Sequence, residues 1–165
     1  MVKSKLFLAT LVLAATSSPA FADGNIDVHG GASRSCAEGI CSSTNATYGV
    51  DLGYDFDASK AIFLGGQVQV DGNRFLGSTH ASYAAVARLG TKLGAADSVY
   101  ALGGYAAQEL GSGSGSAGGW RLGAGYEHRI DQTMFVKIEY RYSNYTKYGF
   151  SGGQNTGLIG FGAHF

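Results

Sequence analysis

The feature that most constrains the fold of this chain is a two-residue alternation of apolar and polar side chains, repeated from one segment to the next. In the stretch "FVKIEYR", Ile138 and Tyr140 fall on one parity, whereas Lys137 and Glu139 fall on the other. Successive side chains of a β-strand point to opposite faces, so this period predicts strands with one apolar and one polar face. The alternation persists into "GLIGFGAHF" at 157–165. The chain is therefore predicted to end inside a sheet.

Turn-rich clusters divide the chain into eight such segments, and short clusters alternate with long ones. An even strand count with tight turns at one end and longer loops at the other is typical of bacterial outer-membrane barrels. We predict an all-β fold, an eight-stranded antiparallel up-and-down transmembrane β-barrel, and leave the two faces of 98–110 unassigned because its parity is ambiguous. The short clusters lie at 57–60, 94–97 and 131–132, the long ones at 35–45, 71–81, 111–118 and 146–154, and the predicted strands at 25–34, 46–56, 61–70, 82–93, 98–110, 119–130, 133–145 and 155–165.

The aromatic side chains indicate that the apolar face points outward, into lipid. They collect at both ends of the apolar parity, with Tyr48 and Trp120 toward the long loops and Tyr54 and Phe161 toward the short turns. Two aromatic girdles are what the two interfaces of a bilayer select. The polar parity is rich in glycine, which leaves room for long polar side chains inside a narrow tube. The alternative is a soluble periplasmic barrel that carries a ligand, with the apolar face inside.

The first 22 residues have the organisation of a secretory signal peptide. Lys3 and Lys5 precede an apolar run at 6–15, and small residues end the segment in "AFA". We predict a signal peptide at 1–22 and an outer-membrane barrel domain at 23–165. Loss of the two lysines leaves 10 of the 12 basic residues against 12 acidic ones. This balance gives no reason to expect a nucleic-acid partner.

The last two predicted strands resemble those of a known family. "FVKIEYRYSNYTKYGF" followed by "GLIGFGAHF" is similar to the end of small eight-stranded outer-membrane barrels, the OmpA/OmpX-like group that includes the alphaproteobacterial outer-membrane immunogenic proteins. The resemblance implies localisation in the bacterial outer membrane. It also implies that the barrel-assembly machinery recognises the chain's end during biogenesis, and we carry that assembly signal over to Ile159, Phe161 and Phe165.

The assigned parities direct eleven charged side chains into the lumen, six basic and five acidic. An eight-stranded barrel is only wide enough inside for its own side chains, and isolated buried charges are costly. We therefore predict a lumen plugged by ion pairs, with cross-strand pairs between 119–130 and 133–145. The predicted lumen charges are Asp27, Asp51, Asp55, Arg88, Lys92, Arg121, Glu127, Arg129, Lys137, Glu139 and Arg141.

The two cysteines and three of the histidines are further candidates for chemistry. Cys36 and Cys41 lie in the first long loop of an exported chain, where a disulfide is expected; metal ligation would need a second CxxC or a nearby histidine. His29 and His164 fall on the lumen parity of neighbouring strands and are interpreted as polar lumen fillers, although a metal or pH-sensing pair is conceivable. His128 falls on the lipid parity near a short turn. We expect no metal and no cofactor.

An enzymatic function is not expected. "RYSNY" supplies Ser143 and Asn144, but Arg141 stands where a lipid A deacylase would place its histidine. "GSGSGSAGG" lacks the Lys-Ser/Thr of a phosphate-binding loop. We expect a structural, surface-exposed monomer surrounded by outer-membrane lipid, displaying four extracellular loops to an unknown partner. The alternative is a passive small-solute channel.

Overall fold

The computed structural model describes residues 22–37, 40–75, 78–110, 115–147 and 150–165, so the predicted signal peptide lies outside the described residues except for Ala22. No helix in these ranges is long and apolar enough to cross a membrane. The described residues form nine strands: β1 (Ala22–Ala37), β2 (Ile40–Cys41), β3 (Asn45–Asp57), β4 (Ile62–Phe75), β5 (Ser78–Lys92), β6 (Asp97–Glu109), β7 (Ser116–Arg129), β8 (Met134–Lys147) and β9 (Phe150–His164).

Eight of these strands close into an antiparallel barrel. Each strand from β3 to β9 pairs with its neighbour in sequence order, β1 pairs with β3, and β1 and β9 close the ring. The closing register runs from Asn25 opposite His164 to Ala37 opposite Gly152. The two-residue β2 pairs only with the tip of β1. The predicted eight-stranded, up-and-down architecture is confirmed.

The side chains of the barrel strands divide between the outer surface and the lumen, and they do so as the parity predicts in every strand whose faces were assigned. In β9, Ile159 is 69% exposed, whereas the neighbouring Leu158 is 4% exposed; Phe165, the residue after β9, is also 69% exposed. The ambiguous β6 turns Tyr100 and Leu102 into the lumen. The outer surface of the described barrel is thus an apolar belt, as lipid contact requires.

Two of the four predicted long loops are mostly strand. β4 continues through Asp71 to Phe75, and β5 already begins at Ser78, where Phe75 and Ser78 pair. Similarly, β8 reaches Lys147 and β9 begins at Phe150. These stretches predict turns because they are rich in Gly, Asn and Ser, which favour turns, whereas in the structure the strand ladder continues through them.

The short turns are held by side-chain caps. Asp131 Oδ1 accepts hydrogen bonds of 2.7 Å from the backbone N–H groups of Met134 and Thr133. These bonds favour the charged carboxylate and lower the pKa of Asp131. Ser59 Oγ accepts from the N–H of Ile62 at 3.0 Å in the turn between β3 and β4. Such local caps fix the tight turns that set the register of each hairpin.

Lumen glycines make space for the large side chains opposite them. A Cβ added to Gly125 would lie 2.4 Å from the ring of Tyr100, and one added to Gly49 would lie 2.6 Å from His29 Nε2. By contrast, a Cβ on Gly157, which lies on the outer face, would meet nothing within 4 Å. The inward glycines are therefore part of the lumen packing.

Candidate functional site

The centre of the lumen is organised around the carboxylate of Asp71. Its Oδ1 accepts from His29 Nε2 at 2.9 Å and from Arg141 Nη1 at 2.9 Å. Its Oδ2 accepts from Arg121 Nη1 at 2.9 Å and from Ser82 Oγ at 3.2 Å. These donors come from β1, β5, β7 and β8, so one carboxylate on β4 connects five of the eight barrel strands.

A second group of charges lies beside Asp71 and shares Arg141 with it. Lys137 Nζ lies 2.7 Å from Asp27 Oδ2 and 2.8 Å from Asp51 Oδ2. Arg141 also pairs with Asp51 and with Glu139. All of these side chains are buried. We call the whole set the hub cluster; its members are His29, Asp27, Asp51, Asp71, Arg121, Lys137, Glu139 and Arg141.

A separate set of charges lies near the short-turn end, which is the periplasmic end in outer-membrane barrels. Arg88 pairs with Asp55 at 3.0 Å and approaches Glu127 at 3.5 Å. The other Glu127 oxygen lies 3.1 Å from His164 Nε2. Asp23 completes the set. It lies 2.9 Å from Arg129 and 3.3 Å from His164 Nδ1. We call this set the mouth cluster; its members are Asp23, Asp55, Arg88, Glu127, Arg129 and His164.

Aromatic contacts connect the two clusters. The Arg88 guanidinium lies 4.1 Å from the ring centroid of Tyr100 and 5.7 Å from that of Phe63. The Tyr100 hydroxyl donates to Glu139 Oε2 at 2.6 Å. Buried apolar side chains of β4 to β8, among them Val86 and Leu102, form a cluster in the same lumen. Charged and apolar side chains therefore share the lumen walls, because Asp71, Arg88 and Arg121 lie on β4, β5 and β7.

A cavity of about 530 Å³ opens below the mouth cluster at the short-turn end. Its lining includes Asp23, Glu127, Arg129 and His164. Charged residues at this mouth are partly exposed: the side chain of Arg129 is 36% exposed, whereas that of Arg141 in the hub cluster is 2% exposed. Arg129 and Asp23 of the mouth cluster thus face water, whereas its other members are largely buried, as is the hub cluster.

One group of hub residues has donor atoms close enough for a metal ion. Asp27, His29 and Asp51 each offer one ligand atom, and these three atoms lie within 4.8 Å of one another. However, Lys137 Nζ bonds to both carboxylates and Arg141 pairs with Asp51. A divalent ion would have to share this space with an ammonium and a guanidinium. These residues do not fit a metal site, because their carboxylates already have cations.

The predicted lumen charges occupy three kinds of position. Those of the hub and mouth clusters lie as described, while Lys92 lies at the rim, 33% exposed, and pairs with Asp57 at 2.7 Å. The expected pairs between β7 and β8 do not form. Although Glu127 and Lys137 are opposite each other in register, Lys137 reaches Asp27 and Asp51. Because the lumen is narrow, a long side chain can reach carboxylates on the opposite wall as easily as those on the neighbouring strand.

The lumen network predicted from the sequence does not include Asp23, Asp71 and Tyr100. Asp23 precedes the first predicted strand at 25–34. Asp71 falls in a predicted loop, although it continues the inward parity of Gln67 and Gln69, a signal that identifies it as a lumen residue. Arg121 Nη1 also donates to Gln69 Oε1 at 2.8 Å. Tyr100 lies on the strand whose parity was ambiguous. The missed residues are thus those whose strand bounds or faces were not resolved.

The remaining candidates lie outside the hub and mouth clusters. Cys36 and Cys41 face each other across β1 and β2 and form a disulfide. His128 lies on the outer face near a short turn, 47% exposed and 2.7 Å from Asp97. Ser143 is buried in the lumen, where its Oγ accepts from Arg121 Nε at 2.9 Å.

Comparisons with known proteins agree with this architecture. The attachment invasion locus protein Ail of Yersinia pestis superposes with a TM-score of 0.60 at 18% identity, covering 88% of this chain and 99% of Ail. The N-terminal β-barrel domain of OprF from Pseudomonas aeruginosa gives 0.57 at 15% identity, covering 86% and 97%. The outer membrane enzyme PagL gives 0.55 at 14% identity, covering 82% and 97%.

At these identities the solved structures share the fold alone. No curated protein sequence matches the chain. The family of outer membrane protein beta-barrel domains, however, matches residues 7–165. The chain therefore belongs to that family and is a β-barrel protein of the bacterial outer membrane.

Proposed function

We propose that this protein is a structural, surface-exposed outer-membrane barrel whose lumen is closed by its own side chains. The observation that carries the proposal is the burial of the hub cluster. Arg141, Asp51 and Asp71 are at most 4% exposed, and their ion pairs join opposite walls of the barrel. An ion-selective pore would favour open space and one sign of charge, whereas this lumen mixes both signs at contact distance.

Planar-bilayer recording of the refolded protein tests the closed lumen. The unmutated protein should give no steady conductance at neutral pH, because the hub side chains fill the cross-section. Glu139→Ala removes a carboxylate that pairs with Arg141 and accepts from Tyr100. This variant should either conduct or unfold at lower denaturant. Steady conductance from the unmutated protein would instead favour the passive channel. If Glu139→Ala neither conducts nor unfolds at lower denaturant, Glu139 does not belong to the plug.

We propose further that the protein is not an enzyme, although PagL shares its fold. A nucleophilic serine needs a base that accepts its proton. Ser143 instead accepts a hydrogen bond from the permanently protonated Arg121, inside the lumen. Incubation of the refolded protein with lipid A or phospholipid micelles should release no fatty acid. Release that is lost in Ser143→Ala would contradict this.

We propose that the barrel is a monomer in outer-membrane lipid, assembled by the barrel-assembly machinery after removal of the signal peptide at 1–22. Family membership excludes the soluble carrier considered from the sequence. The apolar belt supports outer-membrane lipid as the surroundings of the barrel. The loops at the disulfide end are proposed to contact a partner outside the cell. N-terminal sequencing of membrane-extracted protein should begin at Asp23.

A further inference from the structure

Each charged cluster of the lumen holds one carboxylate more than its permanent cations can balance. The hub cluster has four carboxylates against Arg121, Lys137 and Arg141. The mouth cluster has three carboxylates against Arg88 and Arg129. In both clusters the remaining member is a histidine, so each cluster is neutral only if that histidine is protonated. Uncompensated charge buried inside a barrel is costly.

The geometry of His29 calls for the same protonation state. Its Nε2 lies 2.9 Å from Asp71 Oδ1, and its Nδ1 lies 3.3 Å from Asp27 Oδ1 and 3.6 Å from Asp51 Oδ2. A neutral imidazole carries a single N–H. One nitrogen of a neutral ring would therefore direct a lone pair at carboxylate oxygens. The other charged groups around it, Arg121, Arg141, Lys137 and Glu139, are already used in pairs with the three aspartates or with one another.

His164 has the same arrangement in the mouth cluster. Its Nε2 lies 3.1 Å from Glu127 Oε1, and its Nδ1 lies 3.3 Å from Asp23 Oδ2, without the alignment of a hydrogen bond. The ring packs against Phe135 at a centroid distance of 4.7 Å. Arg88 and Arg129 are the nearby permanent cations, and Asp55 is paired with the first of them. Again both ring nitrogens face carboxylates.

We propose that His29 and His164 are imidazolium ions in the folded barrel and that their positive charges stabilise the packed lumen. We call this pair of protonated histidines the lock. The lock deepens the proposed function, because it rests on the same plug. A rise in pH that removes either proton leaves one buried negative charge in that cluster. The carboxylates of that cluster then repel one another, and the barrel loses stability.

The sign and size of the effect follow from proton linkage. Unfolded histidine releases its proton around pH 6.5, whereas the folded barrel retains it. Above that pH, folding takes up one proton for each of the two histidines, so stability falls as the pH rises. The unfolding equilibrium constant should increase about tenfold per pH unit for each histidine, and about a hundredfold for both.

The test is urea unfolding of the refolded full barrel in phospholipid vesicles between pH 7.5 and 8.5. The logarithmic slope against pH should fall by about one for His29→Gln, by about one for His164→Gln, and by about two for the double variant. His128→Gln is the matched control, because this histidine is on the exposed outer face. It should keep the unmutated slope. Equal slopes in the unmutated protein and the double variant would overturn the lock.

A second measurement separates the lock from the plug. Nitrogen-15 NMR of ring-labelled histidine in micelles at pH 8, assigned with the His29→Gln and His164→Gln variants, should show these two histidines protonated at both nitrogens. Neutral tautomers for both would overturn the proposal. If the protein conducts steadily at neutral pH while the slopes and the NMR pattern are as expected, the closed lumen is contradicted. The two protons then stabilise the barrel without closing it. A closed lumen with pH-independent unfolding would remove the lock and leave the plug.

Discussion

Replacement of Asp71 by asparagine is the sharpest test of the hub cluster. The substitution conserves shape but removes the charge that three cationic groups share. Arg121, Arg141 and His29 each lie 2.9 Å from the Asp71 oxygens. After the change they would face an amide, which cannot accept on its nitrogen side.

The magnitude follows from the burial of this carboxylate. Asp71 is 4% exposed, and removal of one partner from a buried ion pair costs about 3–5 kcal/mol. The unfolding constant should therefore rise more than about a hundredfold. Asp57→Asn is the matched control, because it breaks a pair with Lys92 in which Asp57 is 49% exposed. Exposed pairs contribute at most about 1 kcal/mol.

Urea unfolding from phospholipid vesicles measures both variants in the same assay. The chain has a single tryptophan, Trp120, which is on the outer face, so its fluorescence reports contact of the barrel with lipid. If Asp71→Asn costs no more than Asp57→Asn, the hub does not hold the strands together and the reasoning fails.

Three further changes probe the packing, the loop and the chain end. Gly125→Ala should lower the free energy of unfolding by about 1–3 kcal/mol because it overpacks the lumen. Gly157→Ala, on the outer face, should leave the denaturant midpoint almost unchanged. Equal shifts of the midpoint in the two variants would contradict the lumen packing. The Cys36→Ser, Cys41→Ser double variant should still insert, because the closed strand ladder and not a loop link satisfies the backbone; failure to reach the membrane fraction would refute this. Deletion of Phe165 should leave the chain unassembled and degraded in the periplasm, and normal membrane levels by immunoblot would count against the assembly signal.

The sequence predicted the barrel because a membrane leaves few solutions for a strand-rich chain. Every backbone polar group in lipid must be paired within the protein, which only helices and closed barrels achieve. Parity then fixed which side chains face inward, including His164 and Leu158 at the end of the chain. Phe63 also follows its parity into the lumen, despite being apolar, because it belongs there to a cluster of buried apolar side chains that includes Val86 and Leu102.

The strand ends and the partners inside the lumen could not be predicted in this way. Asp, Gly and Asn favour turns, so "DGNRF" predicts a loop at Asp71, although β4 continues through it. Parity also says nothing about which charge meets which across a tube. Glu127 and Lys137 are neighbours in register, yet their ion pairs are with other strands.

The amino-acid sequence was sufficient to predict the eight barrel strands, their closed topology, and the outward and inward faces of every barrel strand but β6, because these follow from backbone pairing and the two-residue period. The pairing of the charges emerged with the folded barrel alone. Closure brings donors from β1, β5, β7 and β8 within reach of one carboxylate on β4, and the distances across the lumen select His29 and His164 as the members that complete each cluster. Those distances depend on strand register and on the glycines opposite each long side chain, which no local pattern specifies.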